Sequence, residues 1–390
     1  MTAKTGAADD AARTLASLKD WLIQHAYPMW WTHGADHSGG GFHERLQQDG
    51  QPTGEPRRAR VHPRQIYSYA LAPELGWSGP ARNAITHALD FFLRHYPRSD
   101  GFVRTLIASD GSVVNDRAVL YDQAFALLGF AYSFRTLQDE TLKHRARDLL
   151  TVMRAELGHA LAGFEESKPR IVPLLSNSHM HLLEASLAWS DLDPDGPWQA
   201  LAEEIVELAL TCFFDPATGF LLEFFDRDWR PVAGVDGRIV EPGHQYEWAW
   251  LLLNWNRRTQ NQRAFDAAMR LISLAEAHGW DAKRGVAMNT LLTDRVVRDS
   301  QARLWPQTEK MKAMCSAALH TGEDRYWRGA DEAAHALRAY LNTPIKGLWY
   351  DKMNLDGSLI DEPAPASSFY HIVCAIAEMD QALARFNAKA

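Results

Sequence analysis

Cysteine is nearly absent from this sequence. Cys212, Cys315 and Cys374 are all there is, and none stands at the short spacing of a metal or redox motif. Cys315 and Cys374 sit in helix-like apolar runs and read as reduced core thiols. That excludes a disulfide framework and implies a cytoplasmic compartment. Long apolar runs are missing too. Nowhere do eighteen apolar residues follow one another, which excludes a membrane-spanning helix, and the stretch ahead of Trp21 lacks the apolar core of a secretory leader. Positive charge is in deficit, with 41 Lys and Arg against 49 Asp and Glu. That balance argues against nucleic acid or an anionic membrane as partner. No Walker loop, no Gly-x-Gly-x-x-Gly before a helix and no nucleophilic-serine motif occurs, so no nucleotide cofactor is expected.

What the sequence does have is a repeat. Gly41, Gly101, Gly163, Gly219, Gly285 and Gly347 recur about every sixty residues. Each opens a short apolar or aromatic stretch, usually with a polar turn, as in DGFVRTLIASDGSVV from Asp100. Asp-Gly at three of these turns is hairpin chemistry. The third copy, AGFEESKPR from Ala162, is the weakest and reads as an irregular loop. After each unit comes a segment apolar nearly all round, such as YDQAFALLGFAYSF or YEWAWLLLNW, and then an amphipathic charged one, such as NQRAFDAAMRLISLAEA. A helix apolar on every side is buried, whereas an amphipathic one faces water. DDAARTLASLKDWLIQHA supplies a sixth outer helix. The expectation is one domain over residues 1–390, all-α, an (α/α)6 barrel: a toroid of six inner and six outer helices with short β-hairpins at one end. An open solenoid is the structural alternative.

Polar, ionisable and aromatic groups recur where the inner helices begin. They are Arg60 and Arg64; Tyr121; Asn177, His179 and His181; His244 and Glu247; Trp305, Gln307 and Glu309; Tyr370 and His371. Each alone reads most simply as a cap, a core group or a solvated charge. Their recurrence at one phase of a repeat argues instead for a shared pocket, to which helix N-termini also turn free N–H groups. Histidine takes and returns protons near neutrality, an Arg can hold an oxyanion beside a carbonyl, and indole and phenol faces suit the C–H faces of sugars. Proton abstraction next to a carbonyl on a hydroxylated substrate follows, meaning sugar isomerisation or epimerisation.

PRQIYSYA, YDQAFALLGFA, NSHMHLLEA, EPGHQYEWAWLL, RLWPQTE and SSFYHIV, in that order, resemble the N-acylglucosamine 2-epimerase superfamily, which includes mannose isomerases, sulfoquinovose isomerase and cellobiose 2-epimerases. The Glu-Trp after His244 resembles its aldose–ketose isomerase branch, and mannose isomerase most. The resemblance implies a metal-independent, cofactor-free isomerase interconverting D-mannose and D-fructose, with D-lyxose and D-xylulose as a further pair. His371 would move the proton between C1 and C2 through a cis-enediol. His244 would open the sugar ring and act as second acid/base, with Glu247 orienting it. Arg64 would hold the enediolate. Tyr121, Asn177, His181 and Trp305 would line the sugar site, and Glu309 would support it. His179 matches no role in the family and reads best as a hydrogen-bonded helix-start residue.

Three enzymatic rivals stand beside this reading, and a non-catalytic regulatory binding protein is a further alternative. A metal-dependent isomerase would use the histidines and the two Glu as ligands. A 2-epimerase would use the same two histidines on opposite faces of C2. A glycoside hydrolase on the same toroid would use Glu247 and Glu309 as its carboxylate pair. No cluster of Lys or Arg stands out near the site beyond Arg57, Arg58, Arg60 and Arg64, which argues against a phosphorylated substrate, although those four could hold a sulfonate. The expected partner is a monosaccharide, and the expected assembly a monomer or homodimer.

Overall fold

The computed structural model describes residues 6–389; the first five residues of the N-terminal stretch read for a leader lie outside them. Twelve helices of eleven residues or more carry the fold among the described residues, and they alternate around the ring. The outer six are α1 (Gly6–Trp21), α3 (Ala81–His95), α5 (Glu140–Leu157), α7 (Trp198–Leu208), α9 (Gln262–Leu274) and α11 (Asp324–Tyr340). The inner six are α2 (Val61–Leu75), α4 (Leu120–Leu137), α6 (Ser176–Leu192), α8 (Pro242–Thr259), α10 (Leu304–Thr321) and α12 (Ala366–Lys389). Beyond Trp21 the first helix runs on to Gly34 through wider, π-helical turns. Pro28, which supplies no N–H, sits between them.

The inner helices are buried almost throughout, Leu304 to Ala318 without a break. The outer helices bury one stripe, as Ala264, Ala268, Leu271 and Ile272 do on α9. Each inner helix packs on the next, and α12 packs back on α2. Outside them α1 packs on α11. The ring is therefore closed, and the open solenoid is excluded.

Strand pairing at one end goes beyond the expected hairpins. Hairpins do form within units, as where Leu106–Ile107 pairs with Val113–Asn115. A two-residue strand shortly ahead of each inner helix also pairs, antiparallel, with the following unit: Arg57–Arg58 with Leu106–Ile107, Ala118–Val119 with Ser167–Lys168, Leu174–Leu175 with Phe224–Phe225, Ile239–Val240 with Leu291 and Leu292, and Ala302–Arg303 with Lys352–Met353. Ala364–Pro365 then pairs with Arg45–Leu46 of the first unit and closes the circuit. Short strands satisfy their edges by reaching sideways, and that stitches the mouth of the barrel together. The third unit takes part like the others: Gly158 bridges Phe164, and Ser167–Lys168 joins the circuit. It is not an irregular loop. All six repeat glycines have positive φ, from 67° to 95°, which explains why a residue without Cβ recurs there.

A second repeated device fixes how deep each helix start lies. The N–H one or two residues after the repeat glycine donates to a side chain of the following inner helix: Phe42 to His62 (3.2 Å), Val103 to Gln123 (2.9 Å), Phe164 to His179 (3.0 Å), Leu221 to Gln245 (2.9 Å) and Ala287 to Gln307 (2.8 Å). Two residues further along the helices come Arg64, Phe125, His181, Glu247 and Glu309, with His371 in the sixth. Six distant spans thus contribute to one layer across the barrel axis.

Candidate active site

Above that layer opens a cavity of about 410 Å³, lined among others by Arg64, Tyr121, Asn177, His181, His244, Glu247, Trp305 and His371. This is the size range of small-molecule sites. All the expected site residues except Glu309 reach its wall, and Glu309 lies just behind His371. His179 does not reach it. Its Nε2 accepts the Phe164 N–H and its Nδ1 donates to the Leu175 carbonyl at 2.9 Å, so both nitrogens serve the backbone. Burial holds it neutral, with its pKa lowered to about 4. It is a structural staple and is not available as a metal ligand.

Three imidazoles line the cavity, and each has a carboxylate behind it. His371 Nδ1 lies 2.9 Å from Glu309 Oε1, His244 Nδ1 lies 2.9 Å from Glu223 Oε2, and His181 Nδ1 lies 3.1 Å from Glu184 Oε2. In each dyad Nδ1 is occupied, which leaves Nε2 for the substrate. The expected partnership of Glu247 with His244 is not found. Residues three apart share a helix face, but the His244 ring points toward the mouth, where Glu223 of the preceding hairpin and Glu241 at 3.5 Å meet it. Glu247 instead belongs to the deeper layer. One oxygen each from Glu247 and Glu309 and one ring nitrogen of His371 lie within 4.8 Å of one another.

The dyads differ in charge. Burial pushes the His244 pKa down, but Glu223 and Glu241 outweigh it and raise it to about 10; the ring is an imidazolium at neutral pH. Burial lowers His371 well below 6.5, helped by the positive charges of Arg64 and Lys312. Burial also lowers His181, to about 4, against the pull of Glu184. Glu247 is raised by burial and by Glu309, to about 8, so near neutrality it carries a proton. Two titratable groups pushed in opposite directions within one site are the signature of an acid and a base.

Between them stands Trp305, its ring 5.0 Å from the His244 ring and 5.9 Å from that of His371. One sugar lying on that indole can touch both imidazoles. Arg64 donates to the Tyr121 hydroxyl at 2.7 Å and to the Ser367 carbonyl at 3.4 Å. Its guanidinium lies over the rings of Phe125, at 4.3 Å, and Tyr370, at 5.3 Å. Aromatic faces hold that cation and no carboxylate neutralises it among the described residues, so its charge remains for a substrate oxygen. Asn177 Oδ1 is buried without a hydrogen-bond partner, an acceptor available to a sugar hydroxyl.

Several participants were missed in the sequence. Lys312, fully buried, has Nζ 2.5 Å from Glu309 Oε2, 3.9 Å from Glu247 Oε1 and 3.8 Å above the Trp250 ring. Glu184 supports His181, Glu223 supports His244, and Glu166 and Arg303 line the wall. Lys312 stands three residues after Glu309 and Glu184 three after His181, spacings that could have flagged both. Glu223 and Glu166 lie on hairpin units with no helical phase to mark them.

His181, Glu184 and Glu247; Glu223, Glu241 and His244; and Glu247, Glu309 and His371 each bring ligand-type atoms within 4.8 Å. Each cluster contains one of the dyads, or the layer that joins them, and the hydrogen bonds account for the proximity. The hydrolase pairing fits poorly: both carboxyl groups of a glycosidase flank the scissile bond, whereas Glu309 does not reach the cavity wall and is engaged by His371 and Lys312.

A closed toroid whose helix starts surround a sugar-sized hollow with imidazoles, carboxylates and an indole defines a class, the (α/α)6 enzymes of sugar chemistry. Within that class the chain belongs to the N-acylglucosamine 2-epimerase (GlcNAc 2-epimerase) family, whose model matches residues 40–375. It is 46% identical over 375 residues to the mannose-6-phosphate isomerase of Rhizobium meliloti (strain 1021), covering 94% of this chain and 97% of that protein. It is 28% identical over 296 residues to the D-mannose isomerase of Thermobifida fusca, covering 68% and 69%. A crystal structure of D-mannose isomerase superposes with a TM-score of 0.86 at 19% identity, covering 94% of this chain and 97% of that one, so the toroid is shared. The family and these relatives make the chain a sugar isomerase or epimerase. No helix among the described residues is long and apolar enough to cross a membrane.

Proposed function

We propose that the protein is an aldose–ketose isomerase acting on a mannose-configured aldose, D-mannose and D-fructose being the simplest pair, without a metal ion. The observation that carries this reading is the pair of imidazoles on the two sides of Trp305, each backed by its own carboxylate, with His244 held protonated and His371 held neutral. The His244 imidazolium donates to the ring oxygen and, as the pyranose opens, takes up the proton that the anomeric O1 hydroxyl gives up on becoming the carbonyl, so His244 is again protonated. Neutral His371, its Nδ1–H directed at Glu309, removes the C2 proton through Nε2. The charge that develops on O1 is met by Arg64. His371 then returns the carbon-bound proton to C1 on the same face, while His244 relays the O2 proton to O1. The protons balance: one moves from C2 to C1 and one from O2 to O1, through a cis-enediol. Tyr121, Asn177 and His181 hold hydroxyls along the wall, and protonated Glu247 donates from the floor. The names of the relatives support the mannose configuration and the isomerase outcome over the 2-epimerase one.

The test is incubation with D-mannose, D-fructose, D-lyxose, N-acetylglucosamine and D-mannose 6-phosphate in deuterated water, with and without exhaustive chelation. Ketose formation with deuterium at C1 or C2, unchanged by the chelator, is expected. Glucose as sole product from mannose would make the enzyme an epimerase, and loss of turnover on chelation would make it metal-dependent.

A further inference from the structure

We propose that Arg58, Arg60 and Arg303 form an anion seat at the mouth of the sugar cavity, suited to a phosphoryl group on the substrate end away from the reacting carbons. The inference rests on the isomerase reading of this cavity. All three residues line it. Arg58 and Arg303 occupy the same place in their repeats, the last strand residue before an inner helix. Arg60 caps α2 one turn above Arg64, a rise of about 6 Å. The first, fifth and sixth units are neighbours in the closed ring, and between the arginines the sixth contributes Ser367 to the wall. The mouth is therefore cationic along one arc, with a small residue, Ser367, at its middle.

Each arginine is braced by a carboxylate from behind: Arg58 by Glu44, Arg60 by Asp122 at 3.0 Å and Arg303 by Asp351 at 3.1 Å. In every pair the cation is the group turned to the opening. The arginine side chains are 31%, 21% and 42% exposed, against 4%, 0% and 5% for their acids. Burying three carboxylates costs free energy, and a solvated arginine would not need them. Their effect is to fix three guanidinium groups in place. The bracing leaves donors free: Arg303 uses Nε and Nη2 on Asp351, Arg58 uses Nε and Nη2 on Glu44, and Arg60 uses Nη1 on Asp122. At least one terminal nitrogen of each makes no other hydrogen bond among the described residues. Rigid arginine donors converging on one opening match the geometry of a phosphate ester. The sequence argued against such a substrate for want of cations, but Arg303 arrives from far along the chain. Arg57 takes no part, its guanidinium being buried against Asp36 and the Gly40 carbonyl.

Steady-state kinetics on D-mannose and D-mannose 6-phosphate test the seat. The wild-type protein should prefer the phosphate ester in kcat/KM, and inorganic phosphate should compete with it, less so as salt rises. Arg303→Gln should lower the preference about thirtyfold, the scale of one charge-assisted contact, mainly through KM. The double variant Arg303→Gln with Asp351→Asn, which leaves no unpaired buried charge, should show the same loss if the single variant folds poorly. Equal or better turnover of unphosphorylated mannose by the wild type, or full preference retained in the variants, overturns the seat and leaves the isomerase reading standing. Turnover of neither sugar removes both.

Discussion

Glu223 Oε2 lies 2.9 Å from His244 Nδ1, although the two are on different elements and 21 residues apart. With Glu241 it holds His244 as an imidazolium up to about pH 10. If His244 must carry a proton to open the sugar ring, activity is present below that pKa and is lost as pH rises through it. Glu223→Gln removes the larger of the two charges, so the alkaline limb of kcat/KM should move toward neutrality by about 1 to 3 pH units. A pH–rate profile checks this; an unmoved limb would mean that Glu223 does not set the charge of His244.

His371 gives the acid limb. Its pKa lies well below 6.5 because burial, Arg64 and Lys312 all oppose the charged form. The base is therefore available across the neutral range, and kcat/KM should stay level on the acid side until well below pH 6.5. His371→Asn should reduce kcat by about 10³ or more, within the range of general base catalysis, and abolish deuterium incorporation into the sugar. An acid limb at or above pH 6.5, or exchange persisting in the variant, would assign the proton transfer elsewhere.

The repeat made much of this legible. Glycines with positive φ and inner helices apolar all round are local necessities, so six units and their closure could be read from the sequence. The helix-start residues share one phase, and that phase brought His181, Glu247, Glu309 and His371 into one layer. The orientation of each side chain could not be read. His244 stands three residues ahead of Glu247, the layer residue of its helix, and turns to the mouth, so its carboxylate comes from a hairpin and not from the next helical turn. Glu309 reaches His371 from 62 residues away, across neighbouring inner helices, a pairing that no local spacing marks. Arg303 was likewise hidden, because its neighbours in the ring are remote in sequence.

His179 offers a test of the staple. Gln occupies the same position in the second, fourth and fifth units and makes the same bond from Oε1. His179→Gln should therefore keep both the Phe164 contact and turnover. His179→Ala leaves the buried Phe164 N–H without a partner and should cost about 1–3 kcal/mol of stability, read by denaturant unfolding. Loss of chemistry in the Gln variant at unchanged stability would restore a catalytic role to His179.

Lys312 presents the sharpest case of a buried charge held for its neighbours. It is fully buried, yet its neighbours, Glu309 at 2.5 Å foremost, hold its pKa up against burial. Replacing it with Met would leave the Glu309 carboxylate buried beside protonated Glu247 with no cation to compensate it. Glu309 would take up a proton, and the support that it gives His371 Nδ1 would weaken. Lys312→Met should thus cost about 3–5 kcal/mol of stability and lower kcat more than it raises KM. Lys312→Met combined with Glu309→Gln removes the uncompensated charge, so it should recover part of the stability while kcat stays low. That split between unfolding free energy and turnover distinguishes a positioning role from mere packing. If the single variant matched the wild type in both measurements, the cation would have no part in setting the charge of the layer.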